Sequence, residues 1–90
     1  MTVRNHDKKA KAIKIIGDNV RYYRDQKGWT QEKLAGHAKI DEKNLGKIER
    51  GIQEPYFITL YKIASVLDVS IDDLAANLEH FVEIEPPNEG

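Results

Sequence analysis

The side chains with chemical capacity crowd into one short stretch, Asp41 to Gly51, which reads D-E-K-N-L-G-K-I-E-R-G. At about 100° per residue on an α-helix, Lys43, Lys47 and Arg50 fall nearly opposite Leu45 and Ile48. Asn44 lies on the flank, near the N-terminal end. Such a set suits the reading of base edges. An asparagine amide can bond adenine N6 and N7 together, and a lysine can donate to guanine O6 and N7. Arg50, at the far end, is better placed for phosphate. A lone surface lysine does no more than keep a helix soluble, but the clustering on one face tips the balance toward DNA. Catalysis finds no comparable set. His6, His37 and His80 are scattered and match no H-x-x-E-H or H-E-x-x-H spacing. No Ser-His-Asp arrangement or glycine-rich phosphate loop is present. Asp72 and Asp73 are neighbours on one helix, so they point in different directions. The chain has no cysteine, hence no disulfide and no thiolate metal site. The expectation is a protein that is not an enzyme and uses no cofactor or metal.

Two short helices joined by a tight turn must position that set. Thr30 is a good N-cap for the first, and Trp29 before it can staple to Leu34. Lys33 stands where a full capping box needs Glu or Gln. Leu34, Ala35 and Ala38 share an inward face, and small Ala35 allows a close helix pair. Asp41 caps the second helix, and Glu42 suits the positive end of its dipole. Leu45 and Ile48 face inward, Gly51 offers a left-handed end, and Pro55 follows. Gly46 implies a close backbone approach, by DNA or protein, or a tight crossing within the domain. Together residues 30–51 have helix-turn-helix geometry, which presents its second helix to a major groove.

The flanking elements read as support. A first helix runs from about Asp7 or Lys8 to Gln26 or Lys27, with Ile13, Ile16, Val20 and Tyr23 on its core face and Gly28 ending it. Upstream, Arg4, Lys8, Lys9, Lys11 and Lys14 make a basic arm that either reaches phosphate or frays in solvent. A fourth helix spans about Phe57 to Leu67, with Phe57, Leu60, Ile63, Ala64 and Leu67 as the buried stripe. Asp68-Val69 turns the chain, and Ser70 caps a fifth helix with Asp73 in the capping-box position. Ile71, Leu74, Ala75 and Leu78 form its inner face. Phe81, Val82 and Ile84 have no obvious internal partner. They either build a dimer or partner interface or fold back on the first helix. Pro86-Pro87 and the last residues read as disordered. The expected division is 1–12 for the arm and start of the first helix, 13–80 for the domain, and 81–90 for the tail.

Ninety residues suit one domain, which buries roughly 60–65% of its unfolded surface. No signal peptide or bilayer-length apolar run is visible. Net charge is −1, but it is split. Residues 1–50 hold 13 Lys or Arg against 7 Asp or Glu, giving +6. Residues 51–90 hold Lys62 alone against 8 acids, giving −7. Nucleic acid belongs on the first half.

The segments IGDNVRYYRDQKGWTQEKLA, LGKIERG and EPYFITLYKIASVLDVSIDDL resemble the lambda-repressor-like, or xenobiotic-response-element, family of helix-turn-helix regulators over roughly residues 13 to 78. The resemblance implies an all-α, compact five-helix domain with the helix-turn-helix at helices 2 and 3. It implies a sequence-specific transcriptional regulator of double-stranded DNA, most often a repressor, acting as a homodimer on a two-fold operator. It implies a cytoplasmic protein of bacterial, phage or plasmid type. Carried onto this chain, the base-reading positions are Glu42, Lys43, Asn44 and Lys47. Thr30, Gln31, Lys39 and Arg50 face phosphate, and Arg24 holds Glu49 in a structural ion pair. Two positions depart from the family pattern. Lys39 replaces the usual turn glycine, so the backbone there either differs or takes left-handed strain. The loop Gly51-Ile52-Gln53-Glu54 lacks the usual basic residues. Glu42 and Glu54 favour an alternative class, an antitoxin or adaptor-type protein-interaction module with secondary DNA binding. In that class the acidic half and the tail bind a protein.

Overall fold

The computed structural model describes residues 5–85 and 87. Arg4 of the expected arm, and Pro86 with the last three residues of the tail, lie outside the described residues. Five α-helices follow in order: α1 (Asn5–Gln26), α2 (Gln31–Ala38), α3 (Glu42–Glu49), α4 (Phe57–Leu67) and α5 (Ile71–Leu74). A 3-10 turn, Leu78–His80, closes the series, and no strand occurs among the described residues. The expected all-α, five-helix arrangement is the one found.

Local signals start and stop these helices. The Thr30 hydroxyl accepts from the Lys33 N–H at 3.1 Å and opens α2. A carboxylate oxygen of Asp41 accepts from the Asn44 N–H at 3.0 Å and opens α3. Ser70 and Asp73 complete a reciprocal capping box at 2.9 Å each way. At the end of α2, Lys39 takes φ 55° and ψ 51°, and the next N–H, of Ile40, reaches back to the Ala35 carbonyl at 3.0 Å. That closes a Schellman turn around a residue with a Cβ in left-handed space, which favours glycine. Lys39 therefore carries the strain that its place in the turn implies. Gly51 fills the matching position after α3 at φ 73° without that penalty.

Val20, Leu34, Leu45, Ile48, Ile63 and Leu74 form the fully buried centre. α1 crosses α3 closely because Gly17 has no side chain. A Cβ there would overlap the Ile48 carbonyl oxygen and come within 2.9 Å of that of Glu49.

The structure differs from the sequence reading in four places. Phe57 is 65% exposed. It shares the angular position of Ala64 but is the first residue of α4, one turn before the stripe meets the core. The fifth helix stops at Leu74, because Ala75 leaves helical geometry and Asn77 turns left-handed at φ 72°. Leu78 is carried instead by the 3-10 turn. α1 starts at Asn5, two or three residues before the expected start at Asp7 or Lys8, so Lys8, Lys9, Lys11 and Lys14 of the expected basic arm stand on this helix. Two of these lysines reach off the helix: Lys8 pairs with Glu83 and Lys9 with Glu54 at 3.1 Å. Lys14, one turn further along the helix, pairs with Asp18 at 2.5 Å. Finally, Phe81 is half-buried and turned toward the first helix. With Val82 and Glu83 it forms one wall of a groove whose other wall is Ala12, Ile13 and Ile16 of α1. Ile84, beyond it, is 78% exposed.

Candidate nucleic-acid interface

α3 is held from beneath by apolar packing and by one carboxylate. Leu45 and Ile48 are wholly buried, and Glu49 is 4% exposed. Charge at that depth needs a partner. Arg24 of α1 supplies it, donating through Nε and Nη2 to the two Glu49 oxygens at 2.8 and 2.9 Å. The third guanidinium nitrogen, Nη1, donates to the Trp29 carbonyl at 2.7 Å. Gln31 of α2 donates its amide to Glu49 Oε1 at 3.1 Å. One carboxylate thus ties α1, α2 and α3 together. The hydrogen bond to Glu49 raises the Arg24 pKa above that of a free guanidinium, against a lowering by burial and with Coulombic support from Glu49 and Asp25.

The opposite side of α3 is open. Glu42, Lys43, Lys47 and Arg50 are exposed, and none enters an ion pair among the described residues. With Gln31 they surround a shallow hollow floored by Gly46. Asn44, half-buried on the flank, does not line it. Gly46 itself is buried, and a Cβ there would stand 3.1 Å from Arg50 Nη1 and 3.5 Å from Gln31 Oε1. Its neighbours belong to this domain. Gln31 keeps one amide N–H beyond the bond to Glu49, so it can still meet an oxygen outside the domain. Thr30 is spent on its cap, with its backbone at the N-terminus of α2, and Lys39 is exposed in the turn. Chemically the hollow offers two amines, a guanidinium, an amide and one carboxylate. These donors suit guanine edges and phosphate, and the acceptor suits a cytosine amine.

Two features escaped the sequence reading. His37 stacks on Trp29 with ring centroids 4.8 Å apart and planes 24° from parallel. Lys27 and Lys33 place their amines 5.2 and 5.4 Å from the same indole. The i,i+4 spacing of Trp29, Lys33 and His37 carried that signal. The other is Gly17, flagged only by a glycine inside a long amphipathic helix.

The helix-turn-helix family model HTH_3 matches residues 20–74. The chain belongs to the HTH_3 helix-turn-helix family. The match falls within residues 13–78, over which the lambda-repressor-like resemblance runs. A relative, the uncharacterized HTH-type transcriptional regulator y4dJ of Sinorhizobium fredii, is 39% identical over 57 residues, covering 63% of this chain and 74% of y4dJ. The HTH-type transcriptional regulator SinR of Bacillus subtilis is 38% identical over 61 residues, covering 67% of this chain. The chain spans about half of SinR, 55% of its length. A crystal structure of SinR in complex with DNA superposes with a TM-score of 0.64 over 66% of this chain and 95% of that one, at 38% identity. The restriction-modification controller C.AhdI from Aeromonas hydrophila gives 0.67 over 69% and 94%, at 31% identity. The curated relatives are transcriptional regulators and not enzymes. Among the described residues, no helix is long and apolar enough to cross a membrane.

Proposed function

We propose that this chain is a sequence-specific, double-stranded-DNA-binding transcriptional regulator. It acts as a cytoplasmic homodimeric repressor of bacterial, phage or plasmid type, with α3 in the major groove. The observation that carries this reading is the unpaired outer face of α3, built on a helix that Glu49 locks from below. The solved complex of SinR with DNA supports it. Lys43 and Lys47 read guanine edges, Asn44 an adenine and Glu42 a cytosine amine. Arg50, Lys39, Gln31 and the N-terminus of α2 at Thr30 hold phosphates. Two protomers place their helices about 34–36 Å apart, one turn of duplex.

Selection of bound duplexes from a random pool tests the reading, followed by titration across salt. A two-fold symmetric consensus is expected. If Lys39 and Arg50 each neutralise one phosphate in both protomers, log affinity falls with log salt at a slope of about −3.6. A pool without enrichment, or affinity indifferent to salt, would refute it.

The α1–tail groove favours a second reading, an antitoxin- or adaptor-type module whose DNA binding is secondary. There Phe81 and Val82 in the groove, with Ile84 beyond it, would dock a protein. Val82→Glu with Ile84→Glu discriminates: loss of a protein partner with DNA binding intact favours the module.

A further inference from the structure

The groove between α1 and the tail takes no part in the reading of a duplex by α3. Its volume is about 480 Å³, within the range of small-molecule pockets. The α1 wall is Ala12, Ile13 and Ile16, and the facing wall is Leu78, Phe81 and Val82. Ala12 is buried, Val82 is 40% exposed and the other four are half-buried. The facing wall is held in shape by its own backbone. The Phe81 and Val82 N–H groups both donate to the Leu78 carbonyl, at 2.8 and 3.0 Å. The charged side chains that line the groove are two lysines and two glutamates. Lys8 of α1 pairs with Glu83 of the tail, and Lys9 pairs with Glu54 of the loop after α3. The rim therefore has no net charge, and each of its charges is already matched.

We propose that this groove is a binding site for a small, uncharged, mainly apolar molecule, an alkyl or single-ring body with a neutral polar head. The inference goes beyond the proposed function and needs neither DNA contact nor a docked protein. Three arguments name the occupant. The first is the lining: both walls are aliphatic or aromatic, so the body that they cover is apolar. The second is the rim. An ionised head drawn to either sign would have to break a pair and leave the other member without its counter-charge. A hydroxyl or amide head can bond to the rim while both pairs stay whole. Anions and cations are thus disfavoured alike. Glu83 and Glu54 are 71% and 56% exposed, so water screens them and the discrimination is several-fold, not orders of magnitude. The third is access. Each pair joins α1 to a segment that faces it. A helix of another protein laid along the groove would have to break both, whereas a small molecule enters between them.

Octanol, octanoate and octylammonium share one chain and differ in the charge of the head, so together they test the site. Near neutral pH, octanol titrated into the full chain should give saturable backbone NMR shifts centred on residues 12–16 and 78–82. Octanoate and octylammonium should each bind at least about threefold more weakly. Val82→Trp fills the groove from an exposed position and should weaken octanol at least about tenfold, with an unchanged helical spectrum. Ile84→Trp, beyond the groove, should leave octanol binding as it is. Glu83→Gln leaves Lys8 without its partner, so octanoate should gain about threefold while octanol does not change. No saturable shift with octanol overturns the inference, as do shifts centred on the exposed residues 56–61. So does a Val82→Trp variant that binds as tightly as the parent, or a charged member of the series that matches octanol. Concentration-dependent shifts at residues 12–16 without any alcohol would make the occupant a second copy. Tighter binding there of an amphipathic Leu/Lys helical peptide would make it a partner helix. Either result also overturns the inference. A mobility-shift titration of the same protein reads DNA contact separately.

Discussion

Glu49→Gln isolates the carboxylate that ties three helices together. The substitution keeps the shape but leaves the Arg24 cation without its buried counter-charge, with one amide oxygen at position 49, the Trp29 carbonyl and exposed Asp25 at 3.5 Å. Glu49 has 2% of its side chain exposed and Arg24 12%. Breaking a buried pair from one side costs about 3–5 kcal/mol. Because water can reach part of Arg24, the lower end applies, about 3 kcal/mol. For a domain of this size each kcal/mol moves Tm by about 4–8 °C, so the variant should melt roughly 12–24 °C lower. The assay is thermal and urea unfolding of the parent and Glu49→Gln, and of the closed cycle Arg24→Met, Glu49→Leu and the double variant Arg24→Met/Glu49→Leu. The double variant should recover most of the loss, because two apolar side chains leave no unpaired charge, and the coupling should be about 2 kcal/mol or more. The pH dependence has a definite sign. A base whose pKa is raised on folding contributes stability that is complete below its unfolded value, for a guanidinium far above neutral, and fades only above that. The difference between parent and Glu49→Gln should therefore be the same at neutral pH and at about pH 10. A loss below about 1 kcal/mol, or strict additivity in the double variant, would show that the pair does not hold α3.

Glycine substitutions separate close approach from open space. Gly17→Ala should cost about 1–3 kcal/mol by forcing α1 off α3, whereas Gly36→Ala, with nothing within 4 Å, should gain about 0.5–1 kcal/mol in urea unfolding. Lys39→Gly should stabilise the fold by relieving the left-handed turn while weakening DNA binding through the lost charge. Unfolding and a mobility-shift titration should thus move in opposite directions. Asn44→Ala should flatten base preference at one position by about 1–3 kcal/mol, and Arg50→Ala should weaken all sequences alike and lower the salt slope. Equal effects of the two would reverse their assignment. Hydrogen bonding to Lys8, then its charge, hold the Glu83 carboxyl below its usual value of 4.5. Its contribution is present above that pH and lost as pH falls through the lowered pKa. Backbone NMR shifts of residues 81–84 should therefore stay constant through neutral pH and move only in acid.

Whatever depends on a few adjacent residues was legible in the chain. Thr30, Asp41 and Ser70 announce three helix starts because each cap is a contact over three positions. Phe57 to Leu67 is read to the residue because Pro55 precedes it and Asp68 ends it in left-handed space. Periodicity, however, gives an angle around a helix and not a depth along it, so Phe57 reads as core although it lies beyond the core. Composition marks residues 4–14 as basic. It cannot say that Glu83, 75 positions away, comes to meet Lys8. The candidate site shows the same limit. Its outward residues follow from phase, but the bond from Gln31 to Glu49 and the Trp29–His37 stack require that α1, α2 and α3 be placed in space.

Those long-range pairs also explain how a chain with a net charge of −1 can face a polyanion. Lys8 and Lys9 are matched by Glu83 and Glu54 of the acidic half. Those two pairs bring the first-half excess from +6 to +4 before any ligand arrives. Around the α3 hollow, Lys43, Lys47 and Arg50 stand against Glu42, a local balance of +2. Asp68, Asp72 and Glu79 lie on the later elements, beyond α4. Screening acts within about 8–10 Å at physiological salt, so an approaching phosphate responds to this local balance and not to the total. On the proposed reading, the excess on α3 draws the duplex in, and the acidic later elements repel any approach from their own side. Reversing Lys47 to Glu would take the local balance from +2 to 0. It should therefore abolish DNA binding by far more than the same two-unit change made at Lys62 on α4.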